Sequence, residues 1–252
     1  MSLGTLSIGA RFCGPPASGN GGYVAGRLAG FVSTDAARPA VAVRLFAPPP
    51  LETPLDLRAE EDRVGLFEGE RLLARAEPAA LELSPPPPPS FEVAKEATKS
   101  YRGFEEHPFP GCFVCGTERD AHDGLRIFPG RADDTGLFAA SWTPAEGLPT
   151  GSGDTLDDAI VWAALDCAGA FSFPQVDGVV LLGELCARLF DPVRIGEPCV
   201  VTSWYLEQDG RKHLTGTALH GRDGRCVAYA RGIWIEVDPD SVPRVPAAPA
   251  RG

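Results

Sequence analysis

The sequence predicts an α+β fold built as two copies of one unit, and three observations carry that prediction. An apolar helix is followed by β-rich segments separated by Asp-Gly turns, the layout of an antiparallel meander packed on a helix. The same order of signals occurs twice along the chain. A run of five prolines stands between the two occurrences.

In the N-terminal half, Gly21 to Val32 (GGYVAGRLAGFV) occupies the helix position. Arg44-Leu45-Phe46-Ala47-Pro48 follows as a strand end, with Pro54 six residues after Pro48. Glu68-Gly69 reads as a turn into Leu73-Ala74-Arg75-Ala76, and Glu82-Leu83 closes the unit. The linker opens at Ser84–Ser90 (SPPPPPS). Consecutive prolines donate no backbone hydrogen bonds and favour an extended conformation, and the polar residues up to Tyr101 continue the spacer.

In the C-terminal half, Thr155 to Phe171 (TLDDAIVWAALDCAGAF) reads as one helix. Thr155 is a plausible N-cap, and Asp157 and Asp158 suit the positive end of the helix dipole. The middle is apolar nearly all round, so the helix is expected to be buried. Four strands follow, over Val179–Phe190, Cys199–Glu207, Lys212–His220 and Arg225–Val237. Asp209-Gly210 and Asp223-Gly224 mark the turns between the last three. Val227, Tyr229, Ile233, Ile235 and Val237 are expected to share one face. Arg188-Leu189-Phe190-Asp191-Pro192 repeats the Arg44 motif, with Pro198 again six residues after its first proline. Asp223-Gly224 with Val227-Ala228-Tyr229-Ala230, then Glu236-Val237, repeats the closing elements. The expected domains are 1–84, a linker 85–105, 106–237, and a disordered tail 238–252.

Composition narrows the function. A net charge of −11 argues against a nucleic-acid binder, which needs a basic surface to displace counterions. No apolar stretch approaches the ~18 residues of a membrane span, and the first residues lack a secretory pattern. Seven cysteines, an odd number without framework spacing, fit free thiols in a reducing cytoplasm.

Several motifs together resemble the hotdog-fold thioesterases. Asn20-Gly21-Gly22-Tyr23 resembles the helix opening of acyl-CoA thioesterases with two fused hotdog domains. Trp162-Ala163-Ala164-Leu165-Asp166-Cys167-Ala168-Gly169 is similar to the later part of the same helix. Gly111-Cys112-Phe113-Val114-Cys115-Gly116 with Gly124-Leu125-Arg126-Ile127 resembles the opening of many hotdog domains. The resemblance implies a double hotdog: two antiparallel sheets, each wrapped around a central helix, packed as a pseudo-dimer. It also implies an acyl-CoA thioesterase without a cofactor and assembly into a homo-oligomer. Sites in this family form where the helix start of one unit faces the acid of the other. Aligning Asn20 with Asp157 sets Ala29 opposite Asp166. The resemblance therefore implies one complete site, Asn20-Gly21-Gly22 with Asp166, and one dead site, Asp157-Asp158 with Ala29.

At the complete site, the Gly22 and Tyr23 N–H groups are the candidates for polarising a thioester carbonyl, aided by the helix dipole. Gly21 and Gly22 allow close approach of the substrate. Asn20 caps the helix or binds the substrate. Asp166 is either a general base on water or a nucleophile through an anhydride. The plainer alternative makes Asp166 a helix residue whose carboxylate reaches solvent or a backbone donor, and Asn20-Gly21-Gly22 an ordinary cap and turn. Trp162 and Arg188 are candidates for substrate contact. Arg44 and Arg194 join Arg188 as candidates for the CoA phosphates, and Phe171, Phe173 and Trp204 for the acyl tunnel or the core.

Cys112-x-x-Cys115 is half of a zinc motif, with His107 and His122 as nearby candidates. No second pair follows and the histidine spacing fits no common finger, so no metal is expected. The four histidines lie outside both predicted helices, which disfavours a dehydratase. A non-catalytic acyl-CoA-binding module is the alternative function.

Overall fold

The β-rich segments pair into one continuous antiparallel sheet of eleven strands in the computed structural model, which describes residues 1–176 and 178–242. The first half contributes β1 (Ser2–Leu6), β2 (Ala40–Leu45), β3 (Leu55–Glu60), β4 (Arg63–Glu68) and β5 (Arg71–Ala79). The second contributes β6 (Gly130–Arg131), β7 (Phe138–Trp142), β8 (Val179–Leu189), β9 (Cys199–Asp209), β10 (Lys212–Gly221) and β11 (Cys226–Val237). Their order is β1-β3-β4-β5-β2-β8-β11-β10-β9-β7-β6. Read outward from the middle, β2-β5-β4-β3-β1 mirrors β8-β11-β10-β9-β7.

The expectation of two separate sheets is corrected at the centre. β2 and β8 hydrogen-bond to each other, with Val41 opposite Ala187 and Val43 opposite Leu185. Each of these strands would otherwise leave an unpaired edge, and pairing satisfies both. The Asp-Gly turns do their expected work: Gly210 and Gly224 take φ of +58° and +81°, which a glycine adopts without strain.

Two helices lie on one face of the sheet. α1 (Gly21–Ala29) begins after Asn20, whose side chain caps it, and α3 (Asp158–Ala164) begins after Asp157, which accepts from the Ala159 N–H. Asp157 is thus the cap expected at Thr155. Thr155 instead forms a bridge to Arg194. Val24, Leu28, Ile160 and Leu165 are wholly buried in the cluster that joins both helices to the sheet. Each such side chain contributes about 1.5–3 kcal/mol of burial.

The helix expected to run to Phe171 breaks at Asp166. α3 stops at Ala164, Asp166 sits at φ −80°, ψ −88°, and the chain resumes as a 3₁₀ turn over Cys167–Phe171. The turn lies close to the sheet: a Cβ on Gly169 would fall 2.5 Å from Thr215 Oγ1 and 2.8 Å from Trp234 Nε1. The buried Thr217 hydroxyl donates to the Leu165 carbonyl at 2.7 Å and satisfies the interrupted helix end.

The alternation expected in β11 is also corrected. Val227, Ala228 and Ala230 join the helix-side core, whereas Tyr229 belongs to a cluster with Ala40, Cys186 and Ala218 on the opposite face. Ile233 and Ile235 are only half-buried. A bulge at Leu219/His220 shifts the register of β11 against β10 and puts Val227 on the same side as its neighbour.

The linker packs against the sheet. Leu81 is buried in that outer cluster, and α2 (Phe91–Ala97), capped by Ser90, places Ala94 against Ala139 and Val200. Those two residues alternate with Ala140 and Val201 of the helix-side core, so α2 covers the sheet's other face. Beyond it Tyr101 is buried, with its hydroxyl on the Cys115 carbonyl at 3.1 Å. Of the expected tail, Pro239–Ser241 forms a 3₁₀ turn and Val242 is buried. The rest, residues 243–252, lies outside the described residues. No helix among the described residues is long and apolar enough to cross a membrane.

Candidate active site

The start of α1 meets the end of α3. Gly22 packs where a Cβ would fall 2.5 Å from Asp166 Cβ and 2.8 Å from the Trp162 carbonyl oxygen. Four residues on, a Cβ on Gly26 would fall 2.6 Å from Ala159 Cα and 2.7 Å from Trp162 Cβ. Later residues of α1 thus meet earlier residues of α3: the helices run antiparallel, with backbones closer than any side chain allows. This brings Asn20 and Asp166, distant in sequence, within hydrogen-bond reach.

Asp166 Oδ2 accepts from Asn20 Nδ2 at 2.8 Å and from the Gly22 N–H at 2.9 Å. Asn20 Oδ1 in turn accepts from the Tyr23 N–H at 2.9 Å. Both side chains are 2% exposed. Burial pushes the Asp166 carboxyl up to about 7, against the lowering effect of the Gly22 and Asn20 donors. Its second oxygen, Oδ1, is buried without a partner among the described residues. A carboxylate near neutrality with one uncommitted oxygen can exchange a proton with a bound water.

Three thiols sit beside it. Cys112 and Cys167 Sγ are 3.7 Å apart, and with Cys115 Sγ all lie within 4.8 Å of one another. The neighbouring thiols and the backbone N–H groups of Cys115 and Val114 hold Cys112 well below the ordinary thiol range, while Cys115 and Cys167 are raised. His107, a sequence candidate, is outside this group, its Nδ1 accepting from the Phe109 N–H. His122 is exposed and gives only its carbonyl, to Arg11.

A cleft of about 1330 Å³ opens onto these groups, its walls including Asn20, Gly21, Asp166, Phe171, Leu182 and Arg102. Of the sequence candidates, the structure brings Asn20, Gly21, Gly22, Tyr23 and Asp166 together. The Gly22 and Tyr23 N–H groups are nevertheless taken, by Asp166 and Asn20, because the carboxylate and the cap reach the helix start themselves. Gly21, the first helical residue, is the one that lines the cleft. Trp162 is not in its wall. It is 3% exposed and packs on Gly26 as part of the core.

Arg188 is equally remote, half-buried on β8 with its guanidinium 4.8 Å from the Phe190 ring. Arg44 pairs with Glu184 at 2.9 Å and Arg194 with Asp154 at 2.5 Å. Phe171 and Phe173 do line the cleft, and Trp204 does not. Arg102, its basic wall residue, and Cys167, the third thiol, escaped the sequence reading. Arg102 lay in a stretch taken for spacer, and Cys167 has no partner at motif spacing.

No family model and no curated protein matches the chain. Solved structures do. A tesB protein from Mycobacterium avium subs paratuberculosis aligns at 13% identity over 87% of each chain, with a TM-score of 0.57. An acyl-CoA thioesterase II from Mycobacterium marinum aligns at 15% identity over 92% of each, with a TM-score of 0.54. A conserved protein of unknown function with a hot dog fold from Alicyclobacillus acidocaldarius aligns at 11% identity over 93% of each, with a TM-score of 0.55. At these identities the likeness defines architecture, and by its architecture this chain is a hotdog-fold protein similar to thioesterases.

Proposed function

We propose that the chain is a double hotdog, residues 1–84 and 106–237 joined by 85–105, that hydrolyses an acyl-CoA thioester at a single site between its halves. One observation carries the reading. The helix start of the first half and the buried acid of the second are joined by two hydrogen bonds, from the Asn20 side chain and the Gly22 N–H, at the wall of a large cleft.

In this reading Asp166 Oδ1, the uncommitted oxygen, takes a proton from water as the water oxygen attacks the thioester carbon. The Gly21 N–H, which neither Asn20 nor Asp166 accepts, stabilises the charge on the carbonyl oxygen. The carbon–sulfur bond then breaks, and the CoA thiolate leaves with the proton returned from Asp166. Asn20 is a positioning residue that fixes Oδ2. Arg102 is the basic group available to an anionic part of the substrate. The free thiols suit a reducing cytoplasm. Assembly into a homo-oligomer through the sheet's outer face would use the area that Leu81 and α2 leave uncovered.

The test is Asp166→Asn, close in shape and still able to accept from Gly22. Hydrolysis across a panel of acyl-CoAs of different length should fall by at least about 100-fold in kcat, with an unchanged far-ultraviolet spectrum. Wild-type turnover in the folded variant would remove the assignment. One observation favours a second reading, a binding module without turnover: the two N–H groups best placed to stabilise an oxyanion are already occupied. Wild-type protein that binds acyl-CoAs and hydrolyses none would establish it.

A further inference from the structure

We propose that Cys112, Cys115 and Cys167 together bind a zinc ion whose fourth position opens onto the cleft. The inference does not depend on the hydrolase reading, which uses none of the three sulfurs.

Geometry is the first support. Tetrahedral zinc with Zn–S bonds of about 2.3 Å sets its sulfurs about 3.8 Å apart. Cys112 and Cys167 Sγ stand at 3.7 Å, and the third sulfur lies within 4.8 Å of both. An ion between them needs a shift of the Cys115 side chain of an ångström or less. The loop is the second support. Cys112-x-x-Cys115-Gly116 folds as a tight knuckle in which the Gly116 N–H closes the turn on the Cys112 carbonyl at 2.9 Å, so that both sulfurs come from one short loop. The third support is the framework. Phe113 N–H donates to the Cys13 carbonyl at 2.8 Å, and the Tyr101 hydroxyl holds the Cys115 carbonyl. The knuckle is therefore held from two sides, and its Cys112 sulfur faces Cys167, which opens the turn after the break in the second-half helix.

Ligand type decides the ion. Three thiolates are a soft donor set, which selects zinc over hard cations such as magnesium or calcium. All three cysteines line the cleft, so a water supplies the fourth ligand. Three thiolates more than offset the ion's two charges, so the loaded site places no excess positive charge against Asp166.

The experiment uses the full chain purified under reducing conditions. Metal content is measured by mass spectrometry, and metal-free protein is then titrated with cobalt(II) and back-titrated with zinc. About one zinc per chain is expected. Cobalt should give thiolate-to-metal charge-transfer absorption and the visible bands of a tetrahedral site, both bleached by zinc. Cys115→Ser and Cys167→Ser should each weaken cobalt binding by at least about 100-fold. Cys226→Ser, remote from the cluster, should leave it unchanged. Protein that stays below about a tenth of an equivalent of zinc after reconstitution, with no cobalt bands, overturns the proposal. Copper(I) bound in preference overturns the choice of ion. The wild-type titration needs no variant to fold, so the result stands even if a serine variant is unstable.

Discussion

Replacing Gly26 with alanine should destabilise the protein by about 2 kcal/mol, opposite in sign to the usual effect of that change in a helix. Glycine in a helix interior costs roughly 1 kcal/mol relative to alanine, so an isolated α1 would be strengthened. In the folded chain the new methyl would fall 2.6 Å from Ala159 Cα, 2.7 Å from Trp162 Cβ and 2.9 Å from Trp162 Cγ. Carbon atoms rest at about 3.5–4.0 Å, so α1 and α3 must separate by about an ångström. None of the three atoms belongs to the end of a flexible side chain, so no rotamer change relieves the clash. Overpacking of this kind costs about 1–3 kcal/mol, and the upper end applies. Subtracting the propensity gain leaves about 2 kcal/mol, or roughly 4–8 °C in midpoint for a chain of this length. Urea denaturation followed by far-ultraviolet circular dichroism measures it. Gly30→Ala is the control: its nearest atom, the Arg27 carbonyl oxygen, is 3.9 Å away, so that variant should be neutral or slightly stabilised. Gly26→Ala as stable as wild type would refute the claim that glycine sets the distance between the helices.

Two further changes probe the site and the linker. Asn20→Ala removes the cap of α1 and a donor to Asp166, and should cost about 2–3 kcal/mol in the same denaturation measurement. Gly130→Ala would drive a methyl into the Ala97 carbonyl and Ser100 hydroxyl and lift α2 from the sheet. Limited proteolysis should then cut within residues 84–105, whereas the wild type, with α2 packed on the sheet, is expected to resist cleavage there.

The strands of the second half were readable because local and tertiary preferences coincide there. β-branched runs end at Asp-Gly turns, and β8 to β11 begin and end within two residues of the expected limits. The one-face pattern of β11 failed because a bulge, a feature of pairing, moved Val227. The linker misled because proline content describes only its first part. α2 is seven residues long with two fully apolar contacts to the sheet, too short to announce itself by periodicity. The site shows the same division. Asn20 and Asp166 carry recognisable local motifs, but what each hydrogen-bonds depends on the approach of two helices distant in sequence. Gly22-Tyr23-Val24-Ala25-Gly26 holds the signal for that approach, a glycine pair one helical turn apart. Trp162 was misassigned because that glycine face takes its side chain into the core. Cys167 could be joined to Cys112 only in space.

The two ends of the helix pair differ for a reason the packing makes explicit. The offset that carries Asn20 onto Asp157, both of them caps, also carries Gly22 onto Ala159, Gly26 onto Ala163 and Ala29 onto Asp166. The contact of Gly22 with Ala163 therefore has its counterpart in the contact of Gly26 with Ala159. By the same relation, the counterpart of Gly22 against Asp166 is Ala159 against Ala29. An alanine pair offers no acceptor for a helix N–H and no base. At that end the Asp157 side chain serves its own helix, and burial beside Asp157 raises the Asp158 carboxyl. Two acids at the helix start repel the negative charge that an acyl-transfer transition state develops. The proposed single site requires one acid and one glycine helix start, and the two halves hold one of each, so only one end of the helix pair could serve it.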